Sequence, residues 1–264
     1  MKTDKNKLDT LYNQYNKREY VHPDPLEFLY NYNDIKDREI VGLVASALAY
    51  GRVAQILKSV SSVLDIMGPF PCLFLKDVDF KSLNIFFDGF KHRFATGAEL
   101  ASMLMGAKNV IGQYGSLYEC FVAGLNKEDK TILPAMTLFV RKIVTVGDKS
   151  PGHLIPLPER GSACKRMNLF LRWMVRKDDV DPGGWDEIPS SKLIIPLDTH
   201  MHRICQSLGL TRRKQADMRT ALEVTDAFKK IVPEDPVRYD FALTRLGIRD
   251  DTDLDGFLND RHKK

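Results

Sequence analysis

Apolar side chains recur along this chain at intervals of three and four residues, and period-two alternation is confined to one short piece. That pattern commits the fold to helices, because it lays a single oily stripe along a helix and would scatter to both faces of a strand. The clearest case is Met167, Phe170, Leu171 and Met174, spaced i, i+3, i+4, i+7 on a helix that begins near Ser162 and carries Lys165 in its first turn. Lys165, Arg172 and Arg176 fall on another side, which predicts one apolar and one basic face. A second helix opens at Asp198 or Thr199, both good N-cap residues. Its stripe is Met201, Ile204, Cys205 and Leu208, with Gly209 placed to end it and Pro196 closing an extended lead-in.

The same period, read from the N-terminus, predicts a polar helix over residues 1–20 with Leu8, Leu11, Tyr12 and Tyr15 on one side. His22-Pro23-Asp24-Pro25 breaks it, and Pro25 starts the next helix through Phe28 and Leu29. Asp34 or Asp37 caps a strongly apolar helix, Ile40 to Tyr50, which continues after Gly51 through Ile56, Val60, Val63 and Leu64 and should be the most buried. Further helical patterns cover Ala98–Ala107, Leu117–Leu125 and Leu133–Ile143, punctuated by Gly112, Gly115, Gly147 and Pro151. Gln215–Ile231 forms another helix ending at Pro233, and Pro236 starts a last one, Val237–Leu246, stopped by Gly247. Leu193-Ile194-Ile195 is the one strand-like piece. The expected class is all-α: one helical unit of two lobes, residues 1–150 and 151–264, the second carrying the candidate site.

With 264 residues and 44% hydrophobic content, the chain can bury a substantial core. Its polar N-terminus lacks an apolar signal core, and its longest apolar run, Val41 to Tyr50, falls short of the ~20 residues that span a bilayer. A cytoplasmic protein is the expectation. Cys72, Cys120, Cys164 and Cys205 lie at least 41 residues apart, which excludes zinc and iron–sulfur spacings and suits a reducing compartment. They read as small buried hydrophobes. The net charge of +4 is unevenly spread: residues 152–215 hold 11 Lys and Arg against 7 Asp and Glu, so the excess lies in that stretch. A basic stretch suits a polyanionic partner or a solvated face without one.

Three attractive patterns fail. Asp251-x-Asp253-x-Asp255-Gly256 opens like a calcium loop, but its twelfth position is His262 where a bidentate glutamate is required. His200 and His202 are two apart and point away from each other on a helix, so a phosphate or solvent contact is expected there, not a metal. Neither a phosphate-binding loop nor a dinucleotide fingerprint occurs. Trp185, after the turn Asp181-Pro-Gly-Gly, reads as a lid over the core before it reads as a platform for a base. Lys165 and Asp198 remain. Singly, each has a plain role, as a surface lysine and as a helix cap worth about 1 kcal/mol. Together they can do chemistry: an amine is nucleophilic when neutral, a helix start with Arg166 adjacent disfavours its proton, and a carboxylate can accept that proton or stabilise a cationic sugar.

Leu157-Pro158…Gly161…Lys165, followed by Leu197-Asp198-Thr199-His200-Met201-His202-Arg203-Ile204…Leu208-Gly209, resembles the helix–hairpin–helix base-excision DNA glycosylases. That superfamily carries Leu-Pro-Gly-x-Gly-x-Lys and then Val-Asp-Thr-His-x-x-Arg; the segment Asp235-Pro236…Tyr239-Asp240-Phe241-Ala242-Leu243 is similar to its closing helix. Glu159 stands where the first hairpin glycine belongs, Ala163 occupies the usual lysine position, and Lys165 comes two residues late, 33 residues before Asp198. The long gap and altered hairpin are most similar to the archaeal 8-oxoguanine DNA glycosylase branch, or to a bacterial family within the superfamily. The cysteine cluster of endonuclease III is absent, so no iron–sulfur centre and no other cofactor or metal is implied.

The resemblance implies a two-lobed helix–hairpin–helix DNA glycosylase-like fold and a base-excision glycosylase with AP-lyase activity. Its partner would be double-stranded DNA with a damaged base, 8-oxoguanine among the candidates, and its location the cytoplasm, with the nucleoid. Lys165 would be the Schiff-base nucleophile and Asp198 its activator. Gly161 with the amides after it would hold a phosphate, and Arg166, Arg172 and His200 would contact the DNA backbone. The alternatives are a non-catalytic helix–hairpin–helix DNA-binding protein and an all-α protein-interaction scaffold.

Overall fold

The computed structural model describes residues 5–144 and 150–246, and these are mostly helical. In order they form α1 (Lys5–Tyr15), α2 (Ile35–Ala47), α3 (Val53–Met67), α4 (Pro71–Asp77), α5 (Phe80–Phe86), a hairpin of β1 (Lys91–His92) and β2 (Ala95–Thr96), α6 (Gly97–Tyr114), α7 (Leu117–Ala123), α8 (Leu133–Val144), α9 (Lys165–Val175), α10 (Thr199–Ser207), α11 (Met218–Lys229) and α12 (Asp240–Arg245). Local chemistry starts several of them. Asp34 accepts the Lys36 and Asp37 amides to open α2, Thr96 and Glu99 close a reciprocal capping box on α6, and Asp217 takes the Thr220 amide at the start of α11.

α2 is the axis of the molecule, buried almost continuously from Asp37 to Ala47. A helix apolar on nearly every side must be covered on every side. α9 packs along one flank, and glycine permits the close approach: a Cβ at Gly42 would meet the Phe170 ring at 3.3 Å. One turn earlier on α2, Glu39, 1% exposed, accepts the backbone N–H groups of Leu117 and Tyr118 and the indole N–H of Trp185. Burial nonetheless pushes its carboxyl up to about 7, against the pull of those three donors. Trp185 is fully buried among Phe121, Phe139 and Phe170, so it belongs to the core and offers no surface to a base.

The two ends of the described chain lie together. α1 packs on α12, the Tyr239 hydroxyl donates to Asp9 at 2.8 Å, and the Tyr12 and Tyr239 rings meet edge to face. Segments from before and after residue 150 therefore interleave, α2 with α9 and α1 with α12.

Several expected elements take other forms. The segment begun by Pro25 winds as a 3₁₀ helix to Asn31, and the last helix is regular only over Asp240–Arg245. Leu193–Ile195 is extended and buried but joins no strand; Ile195 gives its N–H to the Thr225 hydroxyl. The one sheet among the described residues is the β1–β2 hairpin, too short to leave an alternating signal. Gly147, Gly247 and the Asp251–His262 segment lie outside the described residues. No single described helix is long and apolar enough to cross a membrane; α3 and α4 would suffice only jointly, and they bend by 60° between them.

Candidate active site

The turn before α9 delivers Lys165. Pro158 opens a single 3₁₀ turn that Gly161 ends at φ 78°, and Cys164 takes φ 48° immediately before the helix. Two left-handed residues in four reverse the chain and put Lys165 at the first helical position. The start of α11 clamps this turn from outside, since Met218 donates its N–H to the Gly161 carbonyl and Ser162 bridges Asp217. Between residue 150 and Gly161 the chain forms two 3₁₀ turns, Gly152–Leu154 and Pro158–Arg160, and no α-helix. Glu159 pairs with Arg141 of α8.

Asp198 serves two helices. One carboxylate oxygen accepts the Met201 amide at 2.8 Å and caps α10; the other lies 2.8 Å from the Lys165 ammonium at the head of α9. Burial alone would raise this carboxyl. The Lys165 charge, its hydrogen bond and the Met201 amide outweigh that and hold the group below the ordinary carboxylate value. Both side chains stay about one-third exposed, at 33% and 34%, so the pair is partly desolvated and still reachable.

Two hollows meet at this pair. An inner cavity of about 160 Å³ is walled by Pro25, Val53, Leu169, Trp173, Pro196 and Phe241, with Asp24, Arg172, His200, Asp240 and Arg245 also on its lining. It has room for roughly five waters, taking about 30 Å³ of liquid volume for each. An outer groove of about 510 Å³ runs past Tyr50, Gly51, Pro156, Ser162, Thr199 and Ala216. Ala49, Ile56, Lys165 and Asp198 line both. A cation and an anion therefore stand where the groove meets the cavity.

The remaining expected residues distribute unevenly. Gly161 lines the groove, but its N–H is spent on the Pro158 carbonyl and cannot bind a phosphate. The Cys164 amide turns to the Ser162 hydroxyl. The amides left for an anion are the first ones of α9, from Lys165 onward, which helix geometry deprives of intrahelical acceptors.

Arg172 is not a DNA-backbone contact. It is 3% exposed and pairs with Asp181 and Asp240, while Arg176 beside it pairs with Asp178, Asp181 and Asp235. Of the three basic residues expected on the basic face of α9, Arg172 and Arg176 instead lie in an ion-pair lattice with buried Asp181 and Asp240 and partly buried Asp178 and Asp235. Helical spacing shows only that these arginines leave the apolar stripe; it cannot show that acids from other segments cover them.

Arg166 is also largely committed. Half-buried on the groove wall, it donates to the Ala47 carbonyl at 2.9 Å and to the His153 carbonyl, and stacks 4.7 Å over the Tyr50 ring. Burial lowers its pKa. It ties the start of α9 to the end of α2, with its NH1 and NH2 groups facing protein. His200 lines the inner cavity, its Nε2 2.9 Å from the Leu246 carbonyl, whereas the Nε2 of His202 meets the Arg213 carbonyl. The two imidazoles diverge, as i and i+2 on a helix must. Among the described residues no three His, Cys, Asp or Glu side chains converge as a metal site.

Composition and spacing around Lys165 did not expose Trp173, Asp240 or the Asp24–Arg245 ion pair (2.7 Å) as cavity walls. Asp240 is fully buried, and burial pushes it up to about 6 despite Arg172. Its one signal was the closing-helix segment, where it reads as an ordinary helix-start acid.

No curated protein and no solved structure matches this chain. A family model does match, over residues 24–249, and on that match the chain belongs to the family described as "Protein of unknown function (DUF2400)".

Proposed function

We propose that this protein is a base-excision DNA glycosylase with AP-lyase activity, acting with the nucleoid on double-stranded DNA that carries an oxidised base, 8-oxoguanine being the first candidate. The observation that supports this most is the Lys165 Nζ–Asp198 Oδ2 contact of 2.8 Å at the junction of an open groove and a smaller, mainly apolar cavity. A glycosylase must take its target base out of the stack into such a recess while the sugar stays at the mouth.

In water the ion pair holds Asp198 ionised and keeps the proton on Lys165. As DNA displaces water the two charges lose their hydration, and Asp198, in hydrogen-bond contact, is the group placed to take that proton. The neutral amine attacks C1′ of the sugar. The glycosidic bond breaks with its electron pair on the departing base, which then takes up a proton. Ring opening leaves an iminium between Lys165 and C1′, loss of a C2′ proton follows, and the 3′ phosphate departs. The first amides of α9 and α10 border the groove and suit the sugar-phosphate chain.

Borohydride reduction tests the reading. The wild-type protein should be trapped covalently on a duplex containing the right lesion, and Lys165→Ala should not. Failure of the wild type to trap on any oxidised base or abasic site would overturn it and favour a binding-only role.

A further inference from the structure

We propose that Phe94, with Arg93 beside it, is the wedge that enters the base stack as a nucleobase leaves the duplex. This rests on the reading of the Lys165–Asp198 cleft as a DNA site.

Phe94 is 69% exposed, more than any other large hydrophobic side chain among the described residues that leave the core. It stands at the tip between β1 and β2, next to Arg93, which holds a left-handed φ of 54°. A two-residue hairpin turn between paired His92 and Ala95 calls for such a φ, which is uncommon for a residue other than glycine. His92 anchors the turn. Fully buried, it meets the Ser59 hydroxyl at 2.9 Å and the Tyr50 carbonyl at 3.0 Å, while the Tyr50 hydroxyl donates back to the His92 carbonyl. The tip is thereby bolted to α3 and to Tyr50, a wall of the outer groove.

Arg93 reaches that rim directly, and Phe94 is tied to it through His153. The Arg93 side chain crosses Gly51, where an added Cβ would come within 2.8 Å of its Cδ; Gly51 also lines the groove. The Phe94 ring faces the His153 ring at 6.1 Å, and the His153 carbonyl is held by Arg166, next in sequence to Lys165. A rigid mount, an exposed aromatic blade and an adjacent guanidinium, 5.6 Å from that ring, fit a duplex whose stack is to be parted. Apolar side chains enter base steps in this way, and a nearby cation holds the phosphates.

The test uses a duplex carrying a tetrahydrofuran abasic analogue with 2-aminopurine as its neighbour. Anisotropy reports binding, and 2-aminopurine fluorescence reports the stack. Wild type and Phe94→Trp should bind and change the fluorescence. Phe94→Ala should melt with the wild type, bind about ten-fold more weakly, as loss of one stacking contact implies, and leave the fluorescence unchanged. A wild-type response from Phe94→Ala, or wild-type binding with no fluorescence change, overturns the wedge and leaves the cleft reading intact. A wild type that shows no salt-dependent binding overturns both.

Discussion

Asp198→Asn separates what this residue does for the fold from what it does for chemistry. The carboxylate has two partners, the Met201 amide at 2.8 Å and the Lys165 ammonium at 2.8 Å. Asparagine keeps the shape and caps a helix about as well as aspartate, so the first contact survives. Only the ion pair is lost, and with both side chains about one-third exposed it is worth at most about 1 kcal/mol. Asp198→Ala loses the cap as well, a further 1 kcal/mol or so. The folding penalty should therefore be under about 1 kcal/mol for asparagine and about 1–2 kcal/mol for alanine, measured by denaturant or thermal unfolding. Turnover should behave differently. Neither variant can accept the lysine proton, and loss of a positioned base costs about 10²–10⁴-fold. Single-turnover cleavage should drop in that range for both, with DNA binding retained by asparagine. Wild-type turnover in Asp198→Asn, or equal stability losses in both variants, would show that the carboxylate's role is not the one assigned.

Arg172→Ala should cost about 3–5 kcal/mol in urea unfolding, because buried Asp240 would lose its arginine and Asp181 would keep only Arg176; a fully stable variant with a shallower salt dependence of DNA binding would restore it to the surface. Gly42→Leu should destabilise by about 1–3 kcal/mol, since even a Cβ there touches Phe170 at 3.3 Å, and near-normal stability would mean that α2 and α9 can separate freely. Glu39 gives a pH signature. Its folded carboxyl sits near 7 against an ordinary 4.5, so between those values the folded state holds a proton that the unfolded chain has released. Its contribution is thus greatest at low pH and falls by about 3 kcal/mol as pH rises from 4.5 to 7. Measured against Glu39→Gln, which cannot titrate, the wild-type advantage should shrink across that window; a constant difference would refute the assignment.

Much of the helical framework was legible locally. Asp34, Asp198 and the glycine at 209 mark helix ends because a cap acts on amides within three residues of itself. The stripe from Met167 to Met174 names the buried side of α9 for the same short-range reason. What lies opposite that stripe was not legible. Arg172 and Arg176 look like surface cations until Asp235 and Asp240, from the far end of the chain, arrive to cover them. The β1–β2 tip is equally silent, since two-residue strands leave no period and Phe94 carries no mark of the histidine that anchors its turn.

The amino-acid order alone determined that the chain is helical, where several helices begin and end, and that Lys165 and Asp198 each head one. Only the packing of those helices decided that the two side chains meet at 2.8 Å between two hollows, and which arginines face water. Caps and stripes are set by neighbours within a turn or two. A site depends on distances between segments that nothing in local spacing encodes.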